Sequence, residues 1–283
     1  MANTKITNSK LFNLGGSTSA TQLPVMTTAE RIAMQNTSTG ETIFNSTTDK
    51  VEYFDGTNWY GINYVSPLDP NLVLYLDAGN TNSYPGTGTT WFDLTENQNN
   101  GTIIGATWNN GGGYFDFDGS NDYVNISATA NSPVDFSQKN YTISCWINPD
   151  SASSNRPIFT KYGTADSLRS IYFNIHNDGT LRLLQRGTGT FDQQFSSSAI
   201  SVGVWTNVTV VRDSGTVNFY IDGALDASRS TTFTPNTGGT QNINIGSQAN
   251  GSFSFFDGKI SYVKLFDKVL TASEVLVLYQ QGM

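Results

Sequence analysis

Few side chains in this 283-residue sequence are of the types that do chemistry near neutral pH. His176 is the single histidine, set in a strand-like alternation just before a turn, and no residue at a workable spacing would make it a general base; it reads as a surface or packing residue. Cys145, the single cysteine, shares an apolar face with Tyr141, Ile143 and Ile147 and reads as a buried structural thiol. Asp116, Asp118, Asn121 and Asp122 gather oxygens in one strand and the loop after it, which is the ligand chemistry of hard cations, although Asx residues beside Gly119 also make turns unaided. Trp91, Trp108, Trp146, Tyr162 and Tyr172 would stack on sugar rings if turned outward and would fill a core if turned inward. The glutamates are Glu30, Glu41, Glu52, Glu96 and Glu274, and none stands in a Glu-x-Asp-x-x-Glu strand of the kind that sets a nucleophile about 5 Å from an acid. There is no Cys/His cluster for zinc and no Gly-rich loop with a following Lys to cradle a phosphate. The inventory points to binding rather than catalysis.

The elements that must position these residues are strands. Twenty-seven glycines and frequent turn dipeptides separate runs rich in Val, Ile, Tyr, Phe and Thr, the pattern of an all-β protein. Ile171, Phe173 and Ile175 alternate up to Asn177-Asp178-Gly179, with Leu181 and Leu183 beyond, and Val217, Phe219 and Ile221 run to Asp222-Gly223; both read as hairpins closed by tight primed turns. The period-2 series places Ile143, Cys145, Val208, Val210, Phe219, Ile221 and Val263 inward and Trp146 on the face opposite Cys145. Thr27-Thr28-Ala29-Glu30 and Thr271-Ala272-Ser273-Glu274 are capping boxes, so two short helices are expected. Two prolines in Asn63 to Pro70 mark a boundary, giving a small α/β-hairpin unit over residues 1–66 and a main domain over 67–283. The small unit holds too few large apolar side chains to be more than marginal alone.

Net charge is −8 with 15 Lys and Arg and no basic cluster, so a nucleic-acid partner is not expected. The first ten residues lack the apolar stretch of a secretory signal, and no segment approaches the roughly 20 apolar residues that span a bilayer. Synthesis in the cytoplasm without membrane insertion is the expectation.

Four ordered stretches carry a family resemblance. They are Leu72 to Asp77 with Trp91-Phe92-Asp93-Leu94 and Phe115 to Val124; Tyr141 to Ile147; Trp205 to Val211 with Val217 to Gly223; and Phe256 to Phe266 with Leu270 to Val275. Together they resemble the laminin-G-like branch of the concanavalin A-like lectin/glucanase superfamily. The resemblance implies an antiparallel two-sheet jelly-roll β-sandwich, a carbohydrate site in which Trp91, Trp108, Tyr162 and Tyr172 take part, and calcium held by Asp116, Asp118, Asn121 and Asp122, though Ser261 stands where relatives frequently have Asp.

The small unit resembles the anchor regions of bacteriophage structural and fibre-like proteins, on Leu23 to Arg31, Thr39-Gly40, Ile43 to Lys50 and Tyr53 to Trp59. Asp55-Gly56-Thr57-Asn58-Trp59 also has the outline of a sialidase aspartate box, but a single copy reads as a turn. Anchor plus lectin-like display implies a non-enzymatic virion protein on the particle exterior, a capsid decoration or fibre-like appendage. Its expected partners are other capsid or appendage proteins, sister subunits of a homo-oligomer and a cell-surface glycan. The alternative is a carbohydrate-active enzyme or a free lectin.

Overall fold

In a computed structural model of the chain, the structure describes residues 9–12, 21–34, 37–47, 50–62, 69–127, 140–237, 239, 241–249 and 251–282. The chain divides into two compact units, Met1–Leu68 and Asp69–Met283. Most of the boundary segment, residues 63–68, lies outside the described residues, as do Ile6 and Leu14 of the expected anchor.

The first unit is a five-stranded sheet in the order β1 (Ser9–Phe12), β2 (Thr21–Met26), β3 (Thr42–Asn45), β4 (Lys50–Phe54), β5 (Trp59–Ile62), with β2 and β3 parallel and α1 (Thr28–Ile32) between them in sequence. Thr27 caps α1 and Glu30 closes the expected box. Leu23, Phe44 and Val51 form a small apolar cluster, and Arg31 bonds Glu52 at 2.6 Å. Asp55 accepts from the amides of Thr57 and Asn58, so the aspartate-box outline is a turn between β4 and β5.

The second unit is the expected sandwich. Its further strands are β6 (Leu72–Asp77), β7 (Thr90–Trp91), β8 (Gly101–Ile104), β9 (Thr107–Asn109), β10 (Tyr114–Asp118), β11 (Tyr123–Ile126), β12 (Tyr141–Pro149), β13 (Arg156–Tyr162), β14 (Arg169–Ile175), β15 (Thr180–Gly187), β16 (Thr190–Ala199), β17 (Thr206–Asp213), β18 (Thr216–Ile221), β19 (Ala224–Ser230), β20 (Ile243–Ile245), β21 (Ser247–Gln248), β22 (Phe253–Phe255) and β23 (Asp257–Phe266). One sheet runs β19-β18-β17-β12-β23-β10-β9, with β6 also on β23; the other runs β16-β15-β14-β13-β20-β11-β8-β7. β21 and β22 form a separate two-stranded ribbon.

The core between the sheets holds Ile143, Cys145, Val208, Val210, Phe219 and Val263, with Ile221 partly buried against it. Burial pushes the Cys145 thiol up, out of the range in which it would ionise. At the Asp222-Gly223 turn both residues have positive φ, 50° and 75°, as a primed turn requires. The turn at Asn177-Asp178-Gly179 differs: of its residues Gly179 alone is left-handed, at 84°, and the amide of His176 closes onto the carbonyl of Thr180. That is a type I turn followed by a glycine bulge, so an Asp-Gly pair marks the hairpin without fixing its turn type.

The second helix, α2 (Ala272–Gln280), is capped by Thr271 with Glu274 completing the box, and it packs on the outer face of the first sheet. Tyr279 stacks on Trp146 at 5.7 Å, Lys264 Nζ donates to Gln281 Oε1 at 3.1 Å, and the hydroxyl of Tyr262 donates to the carbonyl of Leu278. Where the two sheets meet at β16 and β19, Asp226 accepts from the amides of Ser197 and Ser198, and Arg229 Nε donates to the carbonyl of Phe195 at 2.9 Å. Among the described residues no helix is long and apolar enough to cross a membrane.

Candidate functional site

On β10, Phe115 and Phe117 are buried in the core, so the pleat turns Tyr114, Asp116 and Asp118 to the outer face of the first sheet. Antiparallel register on β23 sets Asp116 against Lys259 and Asp118 against Asp257, and β12 brings Asn148 to Lys259 and Pro149 to Gly258. Asp150 follows directly. The result is a cleft of about 340 Å³ lined by Thr107, Asp116, Phe117, Asp118, Asp122, Asp150 and Asp257. Two carboxylates, Asp118 and Asp257, stand directly opposite across the pair, a juxtaposition that opposes strand pairing.

Two of the five carboxylates are neutralised. Lys259 Nζ reaches Asp150 at 2.8 Å, and Arg156 Nη2 reaches Asp257 at 3.2 Å. The hydrogen bond from Lys259 to Asp150 holds that ammonium above its ordinary pKa. Asp118 Oδ1 accepts from the amides of Ser120 and Asn121, and Asp122 Oδ2 accepts from the amide of Asp118 at 3.0 Å. Burial holds the carboxyl of Asp122 above its ordinary value, against the amide of Asp118 and with repulsion from Asp118 and Asp116 added.

Of the residues expected to hold calcium, Asp116, Asp118 and Asp122 come together here, whereas Asn121 does not line the cleft. Among the described residues, no group of three or more His, Cys, Asp or Glu side chains is arranged to hold a metal ion. Ser261 donates to the carbonyl of Gly113 at 2.9 Å.

Beside the acidic residues stands an aromatic pair that the sequence reading missed. Tyr114 lies one pleat from Asp116 on the same face of β10, and its ring meets that of Trp205 at 5.5 Å and 59°. Both residues are half-buried. The loop carrying Trp205 is tied to the cleft by a hydrogen bond from the amide of Gly203 to the carbonyl of Pro149 at 2.8 Å. The alternation of Tyr114 with Phe115 was the available signal for an outward tyrosine; its meeting with Trp205 depends on long-range pairing.

The aromatics expected to meet sugar are placed differently. Trp91 is fully buried against Phe115, at 4.8 Å between rings, and belongs to the core, so the expectation of an outward Trp91 is corrected. Trp108 is half-buried, with Nε1 donating to the carbonyl of Ala78 and its ring edge-on to Tyr84. Tyr162 and Tyr172 do lie together, 5.7 Å apart, but both are buried, and the guanidinium groups of Arg169 and Arg182 each stand 5.5 Å from one of their ring centroids. Ring faces already used in this way offer no stacking platform, so these two are also corrected. His176 Nδ1 lies 3.1 Å from Asp178 Oδ1, and its ring is edge-on to Phe195.

A family model described as the concanavalin A-like lectin/glucanases superfamily, of laminin-G type, matches residues 117–276, more than half of the chain. The chain belongs to this superfamily. Solved structures that resemble it include the sialidase of Trypanosoma rangeli, at 15% identity and a TM-score of 0.58, covering 77% of this chain and 34% of that one. Domain 4 of AbnA, a GH43 extracellular arabinanase from Geobacillus stearothermophilus solved with arabinotriose, matches at 19% identity and 0.56, covering 74% and 98%. The receptor-binding domain of botulinum neurotoxin type G matches at 18% identity and 0.54, covering 75% and 51%. The chain thus spans about a third of the length of the sialidase. No curated protein matches it.

At these identities the structural likeness speaks for the fold alone. The expectation of a bacteriophage virion protein is overturned. The matching family is one of lectins and glucanases, and the structures above are a glycosidase, an arabinanase domain and a toxin receptor-binding domain; none supports a phage-type anchor in the first unit. These findings favour the alternative reading, a carbohydrate-active or carbohydrate-binding protein.

Proposed function

We propose that the sandwich is a carbohydrate-binding module without a catalytic centre of its own, and that it takes glycan at the cleft beside Tyr114 and Trp205. The observation that carries this reading is the half-exposed ring pair set next to the acceptors of Asp116 and Asp150. A ring face offers apolar area to the C–H face of a pyranose or furanose, and carboxylates accept from its hydroxyls. Similarity to a domain solved with arabinotriose supports the same class of ligand.

Two features support binding without turnover. Asp150 and Asp257 are held by cations, and Asp118 and Asp122 accept from backbone amides of their own turn. Asp116 and the raised carboxyl of Asp122 are the cleft groups that an acid–base reaction would have to use, so a substrate panel decides between binding and turnover. The same engagements mean that the reading calls for no obligatory cation.

Calorimetric titration with neutral oligosaccharides, arabinotriose among them, tests the proposal. Trp205→Ala should weaken binding about tenfold with the melting transition retained. Unchanged affinity in that variant would move the site elsewhere, and release of reducing sugar from a polysaccharide panel, lost on substituting one cleft carboxylate, would make the protein an enzyme.

A further inference from the structure

The outer face of the second sheet carries a cation without a counter-charge. On β15, Leu181 and Leu183 belong to the core, so Arg182 between them points outward, yet only 9% of it is exposed. Its Nε donates to Asn174 Oδ1 at 3.1 Å and its Nη2 to Asn155 Oδ1 at 3.4 Å, with the ring of Tyr172 at 5.5 Å. Among the described residues it forms no ion pair, whereas the neighbouring Arg169 and Arg186 share Asp166 at 3.6 and 3.2 Å. Asp178 acts on Arg182 only at longer range and is itself engaged by Thr180 and His176.

A guanidinium does not discharge in a protein, so burial cannot be relieved by loss of a proton. Amide oxygens and a ring face compensate it less well than a carboxylate would. Nη1 has no hydrogen bond to a described residue, and the bond from Nη2 to Asn155 is the longest that the group makes. Asn155 lies in the connection ahead of β13 rather than in a strand, so its side chain can yield while Asn174, in β14, keeps the guanidinium oriented.

We infer that Arg182, framed by Asn155, Asn174 and Tyr172, receives the carboxylate of an acidic sugar, a uronate or a sialate. The carboxylate would replace Asn155 at Nη2 and take Nη1 as well, in the parallel two-bond geometry that arginine offers. The inference rests on reading the sandwich as a carbohydrate-binding module, but it uses a face other than the acidic cleft, whose charge repels such sugars.

The test titrates the unmodified protein with trigalacturonate, its methyl ester and 3′-sialyllactose, with the neutral oligosaccharides as reference. An acidic probe should bind at least about tenfold more tightly than the ester, and more weakly as salt is raised. Which acidic probe binds distinguishes uronate from sialate. Arg182→Gln should lose that preference and keep the neutral binding, and Trp205→Ala should do the reverse. Equal binding of acid and ester, no acidic probe bound at millimolar concentration, or full acidic affinity in Arg182→Gln overturns the inference. Should Arg182→Gln fail to fold, the acid–ester comparison on the unmodified protein decides alone. Acidic binding through Arg182 without any neutral binding would instead overturn the cleft reading.

Discussion

Lys264 and Arg182 occupy comparable positions on opposite sides of the sandwich. Each is a cation on the outer face of a sheet, each is nearly out of water, and each rests on tyrosine rings: Lys264 Nζ lies 4.5 Å from the ring centroids of both Tyr75 and Tyr262, and Arg182 lies 5.5 Å from that of Tyr172. Neither forms an ion pair among the described residues, although Asp77, bonded to the hydroxyl of Tyr75, favours the charge on Lys264 from a distance. The difference lies in what each can do about its burial. Desolvation pulls the lysine down to about 8, so it can become neutral at mildly alkaline pH. The arginine has no such exit, and its charge remains available to an incoming anion. Burial of a base is thus a pH-dependent stability effect in one case and a standing affinity in the other.

The largest effect that would sharpen this contrast is expected at Lys264. Its folded value lies below its unfolded one, so the penalty is fully present below pH 8 and is relieved as pH rises toward the unfolded value of 10.5. Stability should therefore climb through that window, by about 3 kcal/mol at most, until the raised hydroxyls of Tyr75, Tyr141 and Tyr262 reverse the trend as unfolded tyrosines begin to ionise near pH 10. Lys264→Met should be more stable than the parent at pH 7 and flat between pH 8 and 10. Urea denaturation at several pH values measures this, and a mutant that keeps the slope breaks the assignment.

A smaller change is expected from Arg182→Met, within about 1 kcal/mol of the parent, because relief of a buried charge is offset by the loss of its hydrogen bond to the buried Asn174. It should be the same at pH 7 and 9.5, since the arginine does not titrate there. A pH-dependent difference would mean that the two cations are not distinguished as described.

The smallest effect belongs to Lys259→Ala in the acidic cleft. The pair with Asp150 is partly exposed, so the loss should stay below about 1 kcal/mol and shrink further in salt. A loss of several kcal/mol would show that the cleft's charges act as one buried network.

Much of what frames these sites is legible in the sequence, because it is local. The capping boxes at Thr27 and Thr271 and the inward series of Ile143, Cys145, Val208 and Val210 follow from spacing within a few residues. The expectations of Trp91 and Tyr172 as sugar platforms failed for a different reason. Alternation says which side of a strand a residue takes, but not whether that side is later covered. Tyr172 is on the outer face as the pattern implies, and it is nonetheless buried beneath an arginine. The cleft needed pairings between residues more than one hundred positions apart, Asp116 with Lys259 and Lys259 with Asp150, and no local pattern encodes those. The phage reading rested on short polar stretches of the first unit, which carry turn and strand chemistry common to many small sheets.

The bonds that join β16 to β19 have a bearing on how the protein behaves when concentrated. An outermost strand ordinarily presents a ladder of free amides and carbonyls onto which another molecule's strand can add. Here Asp226 occupies the amides of Ser197 and Ser198, and Arg229 occupies the carbonyl of Phe195, so along this stretch the template for such addition is already spent within the molecule. The same two side chains that join the sheets also blunt this edge against growth into aggregates.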